Sequence, residues 1–503
     1  MVRVITQETY DDVVKENIEE FDMTPEEAVK EAIAQFQAQG VDLSNIIKDL
    51  ALGSGEEHAV TTIVNKLRNL CSATEYDNEA VLQELDALKT ECKKDIAHRV
   101  RAGKEGAYTI LIDLLEARQK IYLQNASEAD GRFIVSVLNT LTSLMNMQPD
   151  LLEAKGIDLI ISLLDNTDSS EVLISTLKWT YHCCTKHEMN RQGLFGKNIS
   201  KNLKTLLQYR KDVKVAVAAM RVIRKFTVDD DVRVQFGKAH EHAKVLATTS
   251  LLPLVILLKE NSDVNEDDKQ NDKDNAIPEG DKTQDKQNDE ENTIPEGDKE
   301  EAIAEALKTI SSLLVRYELC SLVADNGISL LLFTILLKYK REDIAQHACT
   351  LIAALAGNDD VKRKLMQAFI APLIISILNK YIHNPKTVSQ ALKCISTLTL
   401  REASHAKQFF SCDAAEAIIS SMKMHPDDAT VQKNACWAIR NMVARYRDEN
   451  SKFHELGAEE LLNDAYKKFS DDFGFDIKSA LRDLECDVKL EEQWKGKGKE
   501  IEK

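Results

Sequence analysis

The chain has 503 residues, 43% of them hydrophobic, with eight prolines and eighteen glycines. That composition is globular, long enough for a large core, and too poor in turn formers for an all-β protein. The net charge of −18 disfavours nucleic acid as a partner.

Reading from the start, "MVRVITQETYDDVVKENIEEF" lacks the basic flank and apolar run of a secretory signal. It is also too acidic for a transit peptide, so a cytoplasmic chain is expected, with the nucleus as a second compartment. "MTPEEAVKEAIAQFQAQG" comes next as a well-marked helix. Thr24 suits the N-cap, Pro25 the first turn, Glu27 a capping box and Gly40 the end. Two further helical stretches fall near 57–70 and 78–100. Residues 1–103 are therefore a helical N-terminal region, either a cap for the rest of the chain or a separate docking element.

From Gly106 a repeat takes over. Long apolar runs begin at Gly106, Gly156, Lys197, Ser250, Gly327, Ile370, Ala414 and Gly457. The last four are separated by 43, 44 and 43 residues. Before each run comes a short polar stretch, and before that a helical pattern A-x-x-x-I-x-x-L, as in "ACTLIAAL", "ALKCISTL" and "ACWAIRNM". Apolar residues at three- and four-residue spacing put one stripe toward a core. A period near 43 lies in the range of stacked helical arrays, whose helices cannot bury their apolar faces alone. The runs from Leu251 and Leu330 are too short for the about twenty residues of a bilayer span, and no membrane role is expected.

Residues 260–301 interrupt the period. They hold seventeen acids and five lysines, a local net of −12, so −6 of the −18 is left for the rest of the chain. "DKQNDKDNAIPEGDK" (268–282) returns at 285–299 with twelve of fifteen positions identical. Such a composition cannot bury a core and is expected to be disordered. It reads as a solvated loop, or as a pseudo-substrate able to fold over the neighbouring repeats. Repeats are thus expected over 104–259 and 302–485, with a charged tail over 486–503.

The stretch "ACWAIRNMVARYRDENSKFHELGAEELL" (435–462) resembles an armadillo repeat of the importin-α and β-catenin type. The opening "ETYDDVVKENIEEFDMTPEEAVKEAI" with "QGVDLSNI" is similar to the start of the armadillo repeat-containing protein 6 family. The resemblance implies an all-α, right-handed armadillo superhelix and a non-enzymatic scaffold or adaptor. Its partner would be a protein or peptide segment in the concave groove. An importin-α-like nuclear transport adaptor is the alternative, against which residues 1–50 are acidic where a basic segment is needed. In peptide-binding members the third helix of a repeat presents a tryptophan and an asparagine four residues apart, the asparagine amide bonding the partner's backbone. Trp437 and Asn441 match, and no other repeat does.

The tryptophan position is otherwise held by Asn139, Lys178, Arg221, Lys308, Thr350 and Lys393. The asparagine position is held by Ser143, His182, Lys225, Ser312, Ala354 and Thr397. These fourteen positions carry five Lys or Arg and no acid. They are either ordinary solvated helix positions or a basic groove for an extended, acidic or phosphorylated segment.

No motif for phosphate binding, nucleophilic catalysis or a catalytic metal is present, so no catalytic residue, metal, cofactor or small-molecule substrate is assigned. "HCCTKH" (182–187) has no second ligand pair and reads as ordinary helix residues. The ten cysteines form no C-x-x-C pair and read as free core thiols. A monomer is expected.

Overall fold

A computed structural model describes residues 3–43, 46–48, 58–72, 76–209, 211–262 and 294–488. It is all-α, with twenty-five α-helices among the described residues. One two-residue parallel pairing, β1 (Arg3–Val4) with β2 (Val41–Asp42), is the exception. Contacts divide the chain into two compact units, 1–245 and 246–503.

The first unit opens with α1 (Gln7–Glu19) and α2 (Pro25–Ala38). Thr24 and Glu27 form the expected reciprocal capping box. These two helices share a small core of their own around Tyr10, Val14, Ala32 and Phe36. Next come α3 (Ala59–Cys71), α4 (Asn78–Lys94) and α5 (Ile96–Lys104). The helical stretch expected over 78–100 is thus two helices. Asp95 breaks it in an extended conformation, its carboxylate accepting from His98 N–H at 2.9 Å to cap α5.

The repeats proper continue as α6 (Ala107–Gln124), α7 (Glu128–Leu144), α8 (Ala154–Asn166), α9 (Ser170–Cys183), α10 (Glu188–Gly196), α11 (Ile199–Leu207) and α12 (Val213–Lys225). Helices α4, α7, α9 and α12 pack in succession as the third helices of their repeats. Helix α3 packs on α4 and α4 on α7, so these two helices adjoin the stack.

The second unit contains most of α13 (Ala239–Asn261), then α14 (Glu296–Leu313), α15 (Tyr317–Asp325), α16 (Ile328–Lys338), α17 (Glu342–Leu355), α18 (Asp359–Gln367), α19 (Ile370–Lys380), α20 (Pro385–Thr399), α21 (Ala403–Phe410), α22 (Ala414–Met424), α23 (Ala429–Val443), α24 (Asn450–Glu455) and α25 (Ala458–Asp483). Its third helices α14, α17, α20 and α23 pack in the same successive way, and α23 packs on α25. Helix α25 is two helices merged across a kink at Phe469 and Phe473.

The run from Leu251 belongs to a helix of 23 residues, long and apolar enough to cross a bilayer. Its side chains Leu246, Leu251, Leu254, Val255 and Leu258 are nevertheless buried in protein, as in a core helix of a repeat. Helix α14 begins at Glu296, so 296–301 are helical and not part of a loop. Pro295 precedes the first turn, and Glu296 and Asp298 lie in it, where acids suit the positive end of the helix dipole. Residues 263–293, on which the rest of the expectation for the acidic insertion falls, lie outside the described residues.

The 43-residue period has a local cause. The residue before six of the second helices adopts a left-handed conformation: Gly106 (φ 84°), Asn198 (63°), Gly327 (82°), Phe369 (55°), Asp413 (57°) and Gly457 (82°), whereas α8 follows Glu153 in an extended conformation. This conformation turns a short first helix sharply into a longer second one, and glycine adopts it without a Cβ clash.

Candidate partner-binding faces

In the first unit α9 buries Leu173, Thr176, Leu177 and Thr180 on one side. Thr176 and Thr180 satisfy their hydroxyls on the carbonyls four residues earlier, at 2.8 Å each. That burial leaves Lys178 exposed and Tyr181 and His182 half-buried on the opposite stripe. On the next third helix, α12, Ala219, Met220, Val222 and Ile223 are buried, and Arg221 and Lys225 are half-buried.

Lys225 reaches across, placing Nζ 4.6 Å above the centre of the Tyr181 ring. Tyr181 in turn meets His182 edge-on at 5.6 Å. Burial first, and the Lys225 charge second, hold the His182 imidazole below its ordinary value of 6.5. The four candidates of this unit, Lys178, His182, Arg221 and Lys225, are thus on adjacent helices. On α7 the equivalent positions are weaker: Asn139 is half-buried, and Ser143 donates back to the Asn139 carbonyl at 3.1 Å.

The position of Lys225 is secured from behind. Glu188 and Arg191 on α10 are fully buried and paired at 3.0 Å. Arg191 also donates to Asp230 at 2.7 Å and to the Lys225 carbonyl at 3.3 Å. The Glu188 N–H donates to Asp231 at 2.8 Å, and Arg233 bridges Asp231 and Asp150 at 2.8 and 2.6 Å. Hydrogen bonds from Arg233 hold the Asp231 carboxyl well below the usual carboxylate range. This clamp fastens the irregular segment 227–238 to the end of α12.

In the second unit Lys308 on α14 and Lys393 on α20 are exposed, each flanked by buried residues of its own helix. The intervening α17 presents Thr350 and Ala354, and Thr350 donates to Gln346 and Gln390 at 3.0 and 3.3 Å. On α23 Trp437 is half-buried, with Lys433 Nζ 5.0 Å above its ring.

Asn441, the match to the asparagine of peptide-binding members, has acceptors within the chain. Its amide donates to the Ser396 carbonyl at 2.9 Å and to Ser396 Oγ at 3.0 Å, on the preceding third helix. Both amide hydrogens are therefore committed inside the chain. The bond belongs to a ladder between third helices 45 residues apart, with Asn434 donating to the Ser389 carbonyl at 2.9 Å and Cys394 to the Cys349 carbonyl at 2.8 Å. Asn441 thus joins its repeat to the one before.

Sequence reasoning missed Tyr181, Lys433 and Arg440, the last with its Nε 3.4 Å from Asp483. Lys433 was legible as the i−4 neighbour of Trp437. Tyr181 was not, because its contact lies between helices. Of "HCCTKH", expected to be helical throughout, only His182 and Cys183 are: α9 ends at Cys183 and a turn with Lys186 at φ 52° follows, so that Cys183 and Cys184 are buried while His187 pairs with Asp150 at 3.0 Å.

A family model described as ARMC6 matches residues 60–266 and 293–502, and the armadillo repeat-containing protein 6 N-terminal domain matches 2–76. The gap in the first match falls on the duplicated acidic segment. The chain is 37% identical over 413 residues to the armadillo repeat-containing protein 6 homolog of Drosophila melanogaster, covering 82% of this chain and 80% of the relative. It is 32% identical over 420 residues to armadillo repeat-containing protein 6 of Homo sapiens, covering 80% and 75%.

Among solved structures, an engineered protein superposes with a TM-score of 0.62 at 15% identity, covering 85% of this chain and 89% of that one. A structure from work on a phosphorylation switch controlling the interaction between cadherin and beta-catenin superposes with 0.54 at 16% identity, covering 84% and 67%. The first and second helices turned by left-handed corners, the stacked third helices and these matches agree, and the chain belongs to the armadillo repeat-containing protein 6 family.

Proposed function

We propose that the chain is a non-enzymatic scaffold or adaptor that binds an extended protein segment along the third-helix faces of its armadillo repeats, and that the segment is acidic or phosphorylated. The observation that carries this reading is the charge of the faces. Lys178, Arg221, Lys225, Lys308 and Lys393 occupy the stripe, none of the fourteen positions compared on α7, α9, α12, α14, α17, α20 and α23 holds an acid, and Lys178, Lys308 and Lys393 are exposed. Such a stripe attracts carboxylates and phosphates, and the attraction is screened over roughly 10 Å at 0.1 M salt. The ring pairs at Tyr181 and Trp437 add flat apolar surface for the aliphatic parts of a bound chain.

The test is affinity for a glutamate-rich extended peptide, measured by fluorescence anisotropy at low and high salt. Reversal of Lys178 and Arg221 to glutamate, or of Lys308 and Lys393, weakens binding at low salt, and combining all four abolishes it. Equal affinity for the four-fold variant and the parent chain contradicts the proposal.

A further inference from the structure

The last repeat gathers a donor set that the third-helix faces do not use. His454 lies in α24, Glu459 in the first turn of α25, and Cys486 just beyond its end. A ring nitrogen of His454, a carboxylate oxygen of Glu459 and the Cys486 sulfur lie within 4.8 Å of one another. The backbone fixes all three. Gly457 (φ 82°) turns the chain between α24 and α25, and Glu485 (φ 66°) turns it after α25. The Cys486 N–H then donates to the Leu481 carbonyl at 3.0 Å.

The imidazole is oriented too. Its Nε2–H donates to the Leu484 carbonyl at 2.7 Å, which leaves Nδ1 with the lone pair. A backbone carbonyl holding one ring nitrogen while the other stays basic is how ligating histidines are commonly set. Cys486 and Glu459 are hydrogen-bonded to each other. In such a contact the carboxylate accepts from the thiol, and a cation would replace that proton.

We propose that His454, Glu459 and Cys486 bind one divalent transition-metal ion of the zinc class, with a fourth position open to water or to a partner's side chain. One nitrogen, one oxygen and one sulfur donor suit zinc better than calcium or magnesium, which take oxygen ligands. Tetrahedral zinc requires donor separations of roughly 3.3–3.8 Å. His454 and Glu459 are exposed and Cys486 half-buried, so the side chains have room to close the present spread. On binding, a metal–sulfur bond forms, the thiol proton passes to solvent, and Glu459 exchanges its hydrogen bond for the metal. No electron is transferred. The ion would tie the chain leaving α25 to the corner between α24 and α25, at the end of the second unit.

The site is distinguishable from the other thiols, seven of which are buried. The experiment uses the full reduced chain without a histidine tag, titrated with Co²⁺ as an optical probe and then with Zn²⁺ in competition. One equivalent of Co²⁺ gives a sulfur-to-metal charge-transfer band. Cys486→Ser removes it, and His454→Ala and Glu459→Gln each weaken binding by about tenfold or more. On the parent chain, Zn²⁺ protects Cys486 from alkylation, read by mass spectrometry. The proposal is overturned by a band that persists in Cys486→Ser, by affinities unchanged in the other two variants, or by Cys486 alkylation unaffected by Zn²⁺.

Discussion

The faces of α9 and α12 in the first unit and of α23 in the second each set a lysine over an aromatic ring, but they are assembled differently. Lys225 reaches Tyr181 from the neighbouring repeat, at 4.6 Å. Lys433 covers Trp437 from the same helix one turn earlier, at 5.0 Å. The first pair exists only while α12 is held in register with α9, and the buried Glu188–Arg191 clamp holds the end of α12. The second pair needs only that α23 be helical. A face built between repeats inherits the stability of the junction behind it, whereas a face built on one helix does not.

Three changes test that contrast. Glu188→Ala leaves the buried Arg191 with Asp230 as its remaining carboxylate partner and its Nε–H without an acceptor, which costs about 1–3 kcal/mol. Hydrogen exchange should then quicken across α10–α12 while α23 keeps its protection. Equal loss in both regions would erase the distinction.

A smaller effect belongs to Asn441→Ala. Removing its bonds to Ser396 lowers stability by about 1 kcal/mol. Affinity for an acidic peptide should not change, because the amide is already committed. Weakened binding at unchanged stability would return Asn441 to the role that the resemblance implies.

The smallest effect is a pH dependence confined to the first face. His182 is held below the ordinary 6.5 by burial and by Lys225, so the folded chain binds fewer protons there than the unfolded chain. The stability it contributes is full above about 6.5 and is lost as pH falls through the folded value. His182→Gln should flatten this part of the acid limb in denaturant titrations between neutral pH and pH about 5. The Lys433–Trp437 pair contains no histidine.

The sequence made regular features visible and hid those that depend on a neighbouring repeat. The capping box at Thr24 and Glu27 was legible because cap and helix are contiguous. The period was legible at Gly106, Gly327 and Gly457 because a left-handed corner selects glycine. It was blurred at Phe369 and Asp413, which adopt the same conformation without being glycine. The break at Asp95 was hidden because helical spacing continues on both sides of it. Glu188, Arg191 and Asp231 were not legible, since a buried ion pair has no one-dimensional mark. Trp437 and Asn441 were found through the resemblance, but the acceptor that Asn441 bonds lies 45 residues away on the preceding third helix.

The most direct test of the third-helix faces as the binding surface is zero-length crosslinking of a glutamate-rich extended peptide to the full chain, with the crosslinked lysines identified by mass spectrometry. Crosslinks at Lys178, Lys308 and Lys393, lost at high salt, are the predicted result. Crosslinks concentrated at the exposed second-helix residues Lys201 and Lys204 on α11, with none on the third helices, would contradict it.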